Sequence, residues 1–519
     1  MTNNNSSTGI SRRSFIKHTG GGLASAAALS ALPASISYAM SAAKNDIVSL
    51  SAIELSARIR DRSLSCKEVM QSYLTHIEPI NRSFNAITSI RDSDTLLIEA
   101  RQRDEELAKG LYHGWMHGFP HAVKDLADAK GLLTTRGSPI FKDNIATSDS
   151  IFVERIKNAG AIIIGKTNVP EFGLGSHTYN PVFGTSLNPY DGKSSVGGSS
   201  GGAACGLALQ MLPVADGSDF MGSLRNPAGF NNVIGFRPTP GLVPLSDSYI
   251  EELPCNGPMG RNVSDTAMLL STMAGHHPSS PSSLDSQPEE FARALDRDFK
   301  GIKIGWLGDF NGYLAMEDGV LPLCEKALDG FRNTGCNVDL VTLDYSMEEL
   351  WQTWLTFRHW IVRSHALPLY ENPKTRALLK PELIWEIEAG AGISGAQVAK
   401  ASAARGRWYA ALLKAFSKYD YLVLPTAQVF PFDASIHWPK EIAGRSMDTY
   451  HRWMEVVIPG TLSGCPVINV SAGFGENGLP MGLQIIGKRY ADFETLQMGY
   501  AYEQSTRWNL DRHPAILSS

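Results

Sequence analysis

The 519-residue chain predicts an α/β fold, a β-sheet covered by helices, and three observations carry that reading. Between Gly118 and Gly165 short apolar strand-like runs alternate with a helical stretch from Asp149 to Ala159. The patterns Ser51-Ala-Ile-Glu54 and Ser65-Cys-Lys-Glu68 are capping boxes, each set ahead of an amphipathic run. Farther on, Ile302-Lys-Ile-Gly-Trp-Leu307 reads as another strand, with a helix to follow over 318–334.

In chain order, residues 47–90 read as helices and Gly118–Gly165 as strands around one helix. The stretch 274–290 is a Pro/Ser-rich loop. From about 345 to 415 the chain is helical and rich in tryptophan: Trp351, Trp354, Trp360, Trp385 and Trp408. With Trp438 and Trp453, these fit either a large apolar substrate group or ordinary core packing. No internal repeat is present, and no linker divides the chain.

The first 39 residues read as a separate segment. Ser11-Arg12-Arg13-Ser14-Phe15-Ile16-Lys17 is a twin-arginine export pattern, followed by an apolar run from Gly20 to Ile36 and a small-x-small site at Ser37-Tyr38-Ala39. That run is too short to span a bilayer securely, so a periplasmic or secreted location without stable membrane insertion is expected. The segment carries three basic and no acidic residues, so removing it takes the formal charge from -5 to -8. An acidic mature chain argues against a nucleic-acid partner. The six cysteines lack zinc-like spacing, and a chain this long builds its own core without disulfides.

The densest chemistry lies between Gly197 and Gly241. A Gly/Ser-rich turn carries Ser199 and Ser200, and a second turn runs Gly217-Ser218-Asp219-Phe220-Met221-Gly222-Ser223-Leu224-Arg225. The small apolar residues between them read as a buried helix and strand. Two facing hydroxyl-bearing turns form a nucleophile site if a base is near, and Lys124 at the end of an apolar run supplies one.

Several motifs match by letter only. Gly160 to Thr167 satisfies a phosphate-loop pattern, yet its variable positions form an Ala-Ile-Ile-Ile strand. Gly473-Phe-Gly475-Glu-Asn-Gly478 lies between two apolar strands and reads as a hairpin turn, not a dinucleotide site. His113, His117 and His121 recur every four residues, but Gly114, Gly118 and Pro120 break any helix that would align them on a metal. No metal or cofactor is expected. Gly197-Gly-Ser199-Ser-Gly201 is formally a nucleophile elbow; an α/β-hydrolase would use Ser199 with a downstream histidine such as His451 or His513.

The ordered set of Lys124, then Gly165-Lys166-Thr167-Asn168-Val-Pro-Glu171-Phe172, then Gly197–Gly202, then Ser223 resembles the amidase signature family. Leu424-Pro425-Thr426 and Gly482-Leu483-Gln484-Ile485-Ile486-Gly487 extend the likeness over roughly Ile47 to Arg507. The resemblance implies one large mixed central sheet with helices on both faces, in a single catalytic domain over 45–510 with a variable helical pocket region at about 345–460. It implies amide hydrolysis of a small molecule through an acyl-enzyme, with Ser223 as nucleophile, Ser199 as proton relay and Lys124 as ultimate base. It further implies a cis Gly198–Ser199 peptide and an oxyanion hole built from the N–H groups of Phe220, Met221, Gly222 and Ser223. Ser200, Asp219 and Arg225 take supporting places. The family commonly has two glycines before its nucleophile, so Met221 is a departure that adds bulk beside the acyl carbon. Ester- or carbamate-cleaving members and an amidotransferase component belong to the same family, and a homodimer is left open.

A lysine works as a base only when neutral. Its ordinary pKa near 10.4 must fall by roughly 2–3 units for use near neutrality, which burial among hydroxyls would supply. Asp125, adjacent on the strand, would point the other way.

Overall fold

The computed structural model describes residues 47–245 and 253–518, and Asn45–Ser519 cluster into one compact unit. The twin-arginine segment lies outside the described residues. Both N-terminal capping boxes form: Ser51 caps α1 (Ala52–Arg60) and Ser65 caps α2 (Cys66–Phe84), each with its glutamate reaching back to the cap backbone.

The apolar runs after Gly118 make a small sheet of their own. Its strands are β1 (Ile87–Thr88), β2 (Pro120–Lys124) and β3 (Ile162–Thr167), in the order β1-β3-β2. β2 and β3 run parallel and are connected through α3 (Ile151–Asn158). The letters of the phosphate-loop pattern are thus strand β3, with no donor-rich turn entering a helix.

The main sheet has eight strands. In chain order they are β4 (Val214–Asp219), β5 (Ile234–Arg237), β6 (Cys255–Gly260), β7 (Lys303–Trp306), β8 (Asn337–Leu340), β9 (Tyr421–Pro425), β10 (Val467–Phe474) and β11 (Pro480–Ile486). They lie in the order β8-β7-β9-β11-β10-β5-β6-β4. The β8-β7-β9 pairs are parallel and the others antiparallel, so the sheet is mixed, as the resemblance implied. β10 and β11 form the hairpin read at Gly473–Gly478. The helix expected over 318–334 is broken at Leu328 into Val320–Ala327 and Asp329–Asn333.

Between β3 and β5 come α4 (Gly201–Ala208) and α5 (Arg225–Asn231), every residue of both buried. The tryptophan-rich stretch is a helical layer of α6 (Met347–Glu371), α7 (Pro381–Ala389) and α8 (Gly395–Phe416). Trp351, Trp354, Trp408 and Trp453 are fully enclosed in the main core, while Trp385 stays 38% exposed. Most of the tryptophan signal is therefore packing. Among the described residues no helix is long and apolar enough to cross a membrane.

Candidate active site

Alternation along β4 builds the site. Asp216 and Ser218, two apart, project to the same face, toward the last residue of β2. The Asp216 carboxylate accepts from the Lys124 backbone N–H at 3.1 Å and lies 2.9 Å from His121 Nε2, locking the small sheet against the large one. His121 is thereby a strand brace, set apart from His113 and His117, which stack on each other. Among the described residues no group of His, Cys, Asp and Glu could hold a metal.

The Lys124 amine is 1% exposed and donates to three hydroxyls: Ser199 Oγ at 2.9 Å, Ser200 Oγ at 2.7 Å and Ser218 Oγ at 2.9 Å. The Ser218 carbonyl lies farther off, at 3.4 Å. Burial pushes the lysine pKa down from 10.5 to about 7, outweighing Asp216 and Asp219, which pull the other way. Asp125 does turn away, accepting from the Thr135 N–H and hydroxyl. Gly217 keeps this approach open, since a Cβ there would lie 2.7 Å from Ser200 Oγ.

The first turn is held by neighbours the sequence did not single out. Ser176 Oγ donates to the Gly198 carbonyl at 2.7 Å and Thr178 Oγ1 to that of Gly197 at 2.8 Å. The Gly198–Ser199 peptide is cis. Ser199 Oγ has Lys124 as its partner; neither His451, whose Nδ1 pairs with Thr449, nor His513 bonds to it, so the nucleophile-elbow arrangement does not form.

The second turn bends at Gly222, whose φ of +79° suits glycine, and delivers Ser223. Ser223 is 8% exposed against 2% for Ser199 and 0% for Ser200, while Ser218, half-buried, is the most exposed of these serines. Asp219 braces the turn from inside: its carboxylate receives Arg225 Nε and Nη2 at 3.0 Å each and Arg237 Nη1 at 3.2 Å. These two buried guanidiniums hold the Asp219 carboxyl well below the usual range. Arg225 in turn reaches Gln484 and Thr461, and Asn226 Nδ2 donates to the Thr426 carbonyl at 2.8 Å. Asp219 and Arg225 thus brace the turn, with Arg237 as a third partner.

Two expectations change. The Gly222 N–H donates to Asp219 Oδ1 at 2.8 Å and is not free for an oxyanion. Among the described residues the N–H groups of Phe220, Met221 and Ser223 have no acceptor. Met221 is 4% exposed and packed in the main core, so its side chain adds no bulk to the cavity beside the lysine. That cavity, about 350 Å³, is lined by Lys124, Ser218 and Phe220 among others.

A lysine amine ringed by serines, beside a turn with unengaged donors and on the edge of a mixed sheet, defines a class of α/β protein with a Lys/Ser site. Comparison with known proteins gives the family: the chain belongs to the amidase family, whose model matches residues 68–496. It is 31% identical to an acylamidase from Rhodococcus erythropolis, covering 90% of this chain and 97% of that one. It is 32% identical to a component of the glutamyl-tRNA(Gln) amidotransferase from Cyanothece sp., covering 89% and 99%. Among solved structures, a bacterial aryl acylamidase of the amidase signature family superposes with a TM-score of 0.82 at 28% identity, covering 88% and 96%. The peptide amidase from Stenotrophomonas maltophilia gives 0.74 at 27%, covering 89% and 98%.

Proposed function

We propose that this amidase hydrolyses the C–N bond of a small aryl or alkyl amide through Ser223, Ser199 and Lys124. The observation that carries the reading is the buried Lys124 amine, bonded to hydroxyls and, among the described residues, to no carboxylate. Ser223 Oγ attacks the carbonyl carbon, its proton passes to Ser199 Oγ, and the Ser199 proton passes to the neutral amine of Lys124. The oxyanion is met by the N–H groups of Phe220, Met221 and Ser223. Collapse expels the amine, which takes the proton back along the same path, and water then cleaves the acyl-enzyme by the same steps. The aryl or alkyl preference is drawn from the acylamidase relatives. Export through the twin-arginine route to the periplasm is part of the same proposal and rests on Ser11–Lys17.

The amidotransferase relatives favour a second reading, a component of such an enzyme. A panel of anilides, alkylamides, peptide amides, carbamates and esters on the purified chain separates the two. Turnover of an anilide by the chain alone, lost in Ser223→Ala, supports the hydrolase. Activity retained in Ser223→Ala but lost in Ser199→Ala would overturn the roles of the two serines.

A further inference from the structure

A buried polar cluster on the helical layer touches the second turn from outside. Arg358 of α6 donates through Nε to Glu386 Oε1 of α7 at 2.8 Å, and through Nη2 to the Tyr450 hydroxyl at 3.0 Å. The Tyr450 hydroxyl donates to Glu386 Oε1 at 2.7 Å, and His359 Nδ1 lies 2.6 Å from Glu386 Oε2. All four side chains are buried. Arg358 and Glu386 form a buried ion pair, and the guanidinium holds the Glu386 carboxyl well below the usual carboxylate range.

The guanidinium is also centred 4.8 Å from the Phe220 ring, and Trp354 meets the same ring edge-on at 5.3 Å. A buried ion pair is a poor source of stability, because desolvation cancels much of the attraction. What this one supplies is a cation fixed in place against an aromatic ring. Phe220 is the first residue after β4, and among the described residues its own N–H and that of Met221 have no acceptor. Donors to an oxyanion must be held within a fraction of an ångström, and a ring contacted by both Arg358 and Trp354 restricts the backbone that carries them.

We infer that Arg358 is a positioning residue for the oxyanion turn, acting through the Phe220 ring and held in place by Glu386 and Tyr450. The inference rests on the hydrolytic reading above.

The test uses the full chain with Arg358→Lys, Tyr450→Phe, Phe220→Leu and the Arg358→Lys/Phe220→Leu double variant. Each is measured on an anilide and against a trifluoromethyl ketone, whose serine adduct carries the same oxyanion. Arg358→Lys should lower kcat about tenfold or more with KM unchanged, and weaken ketone binding in parallel. Tyr450→Phe should act in the same sense. The double variant should be no slower than Phe220→Leu alone. A lowered melting temperature with normal kcat, a change confined to KM, or losses that multiply in the double variant would each overturn the inference. Should Arg358→Lys fail to fold, Tyr450→Phe keeps the ion pair and carries the same comparison. Ser223→Ala is run alongside. If it stays active the hydrolytic reading fails; if it is inert while Arg358→Lys is normal, only the positioning role fails.

Discussion

Lys124 and Lys166 sit on neighbouring strands of the same three-stranded sheet, both fully enclosed and both pushed down in pKa by burial. Their surroundings differ. The Lys166 amine donates to the Ala127 carbonyl and to Thr134 Oγ1, and Asp125, Asp216 and Asp128 favour its charge. The Lys124 amine meets three serine hydroxyls. Either amine can hold its bonds as ammonium or amine, but Lys166 faces a carbonyl, which cannot give a proton, and one threonine, whereas Lys124 faces three serine hydroxyls that both donate and accept, Ser199 among them. Desolvation makes a lysine reluctant to ionise, and the partners decide whether it can move a proton.

The sharpest way to break that contrast is a matched pair of substitutions. Lys124→Met should lower kcat on the order of 10⁴-fold while leaving the fold intact. Lys166→Met should leave kcat within about tenfold, yet cost about 1–3 kcal/mol in chemical denaturation because two buried acceptors lose their donor. Equal catalytic losses from the two would erase the distinction.

Asp219 tests the frame around the second turn. Asp219→Asn removes the charge that pairs with both Arg225 and Arg237, and should destabilise the protein by about 3–5 kcal/mol, read from the urea midpoint. A variant of unchanged midpoint would mean the turn is held without it.

The pH dependence follows from the sign of the Lys124 shift. The base is active when neutral and its pKa lies at about 7. The rate kcat/KM should therefore rise with pH through about 7 and level off above it. The Lys166→Met variant should keep that profile. A rate that falls as pH rises through 7 would require a protonated lysine.

Met221 carries the smallest expected catalytic effect. Its burial predicts that Met221→Gly costs about 2–5 kcal/mol of stability through a cavity. The ratio of kcat/KM for bulky and small acyl groups should stay unchanged. A shift of that ratio toward bulky groups would place the side chain beside the substrate after all.

Much of the site was legible because its chemistry is local. Ser199, Ser223 and the Asp219–Arg225 brace sit in short turns whose glycines and hydroxyls mark them, and Lys124 ends an apolar strand. Ser218 was less visible: its role on the lysine needs the alternation of β4 together with the way β4 meets β2. Arg237 depends on the β5–β6–β4 ladder, and Ser176 and Thr178 on a loop crossing the first turn. The Gly222 donor was misassigned because sequence cannot tell which N–H a nearby carboxylate has already taken. Arg358, Glu386 and Tyr450 are far from Phe220 in sequence and carry no local pattern, so only the packing of the helical layer reveals them.

The central claim is that Ser223 attacks and Lys124 primes it. Treating the protein with a fluorophosphonate and mapping the adduct by peptide mass spectrometry tests this most directly. A single adduct on Ser223 is expected, formed faster as pH rises through about 7 and far more slowly in Lys124→Met. An adduct on Ser199, or labelling of Ser223 indifferent to Lys124, would contradict it.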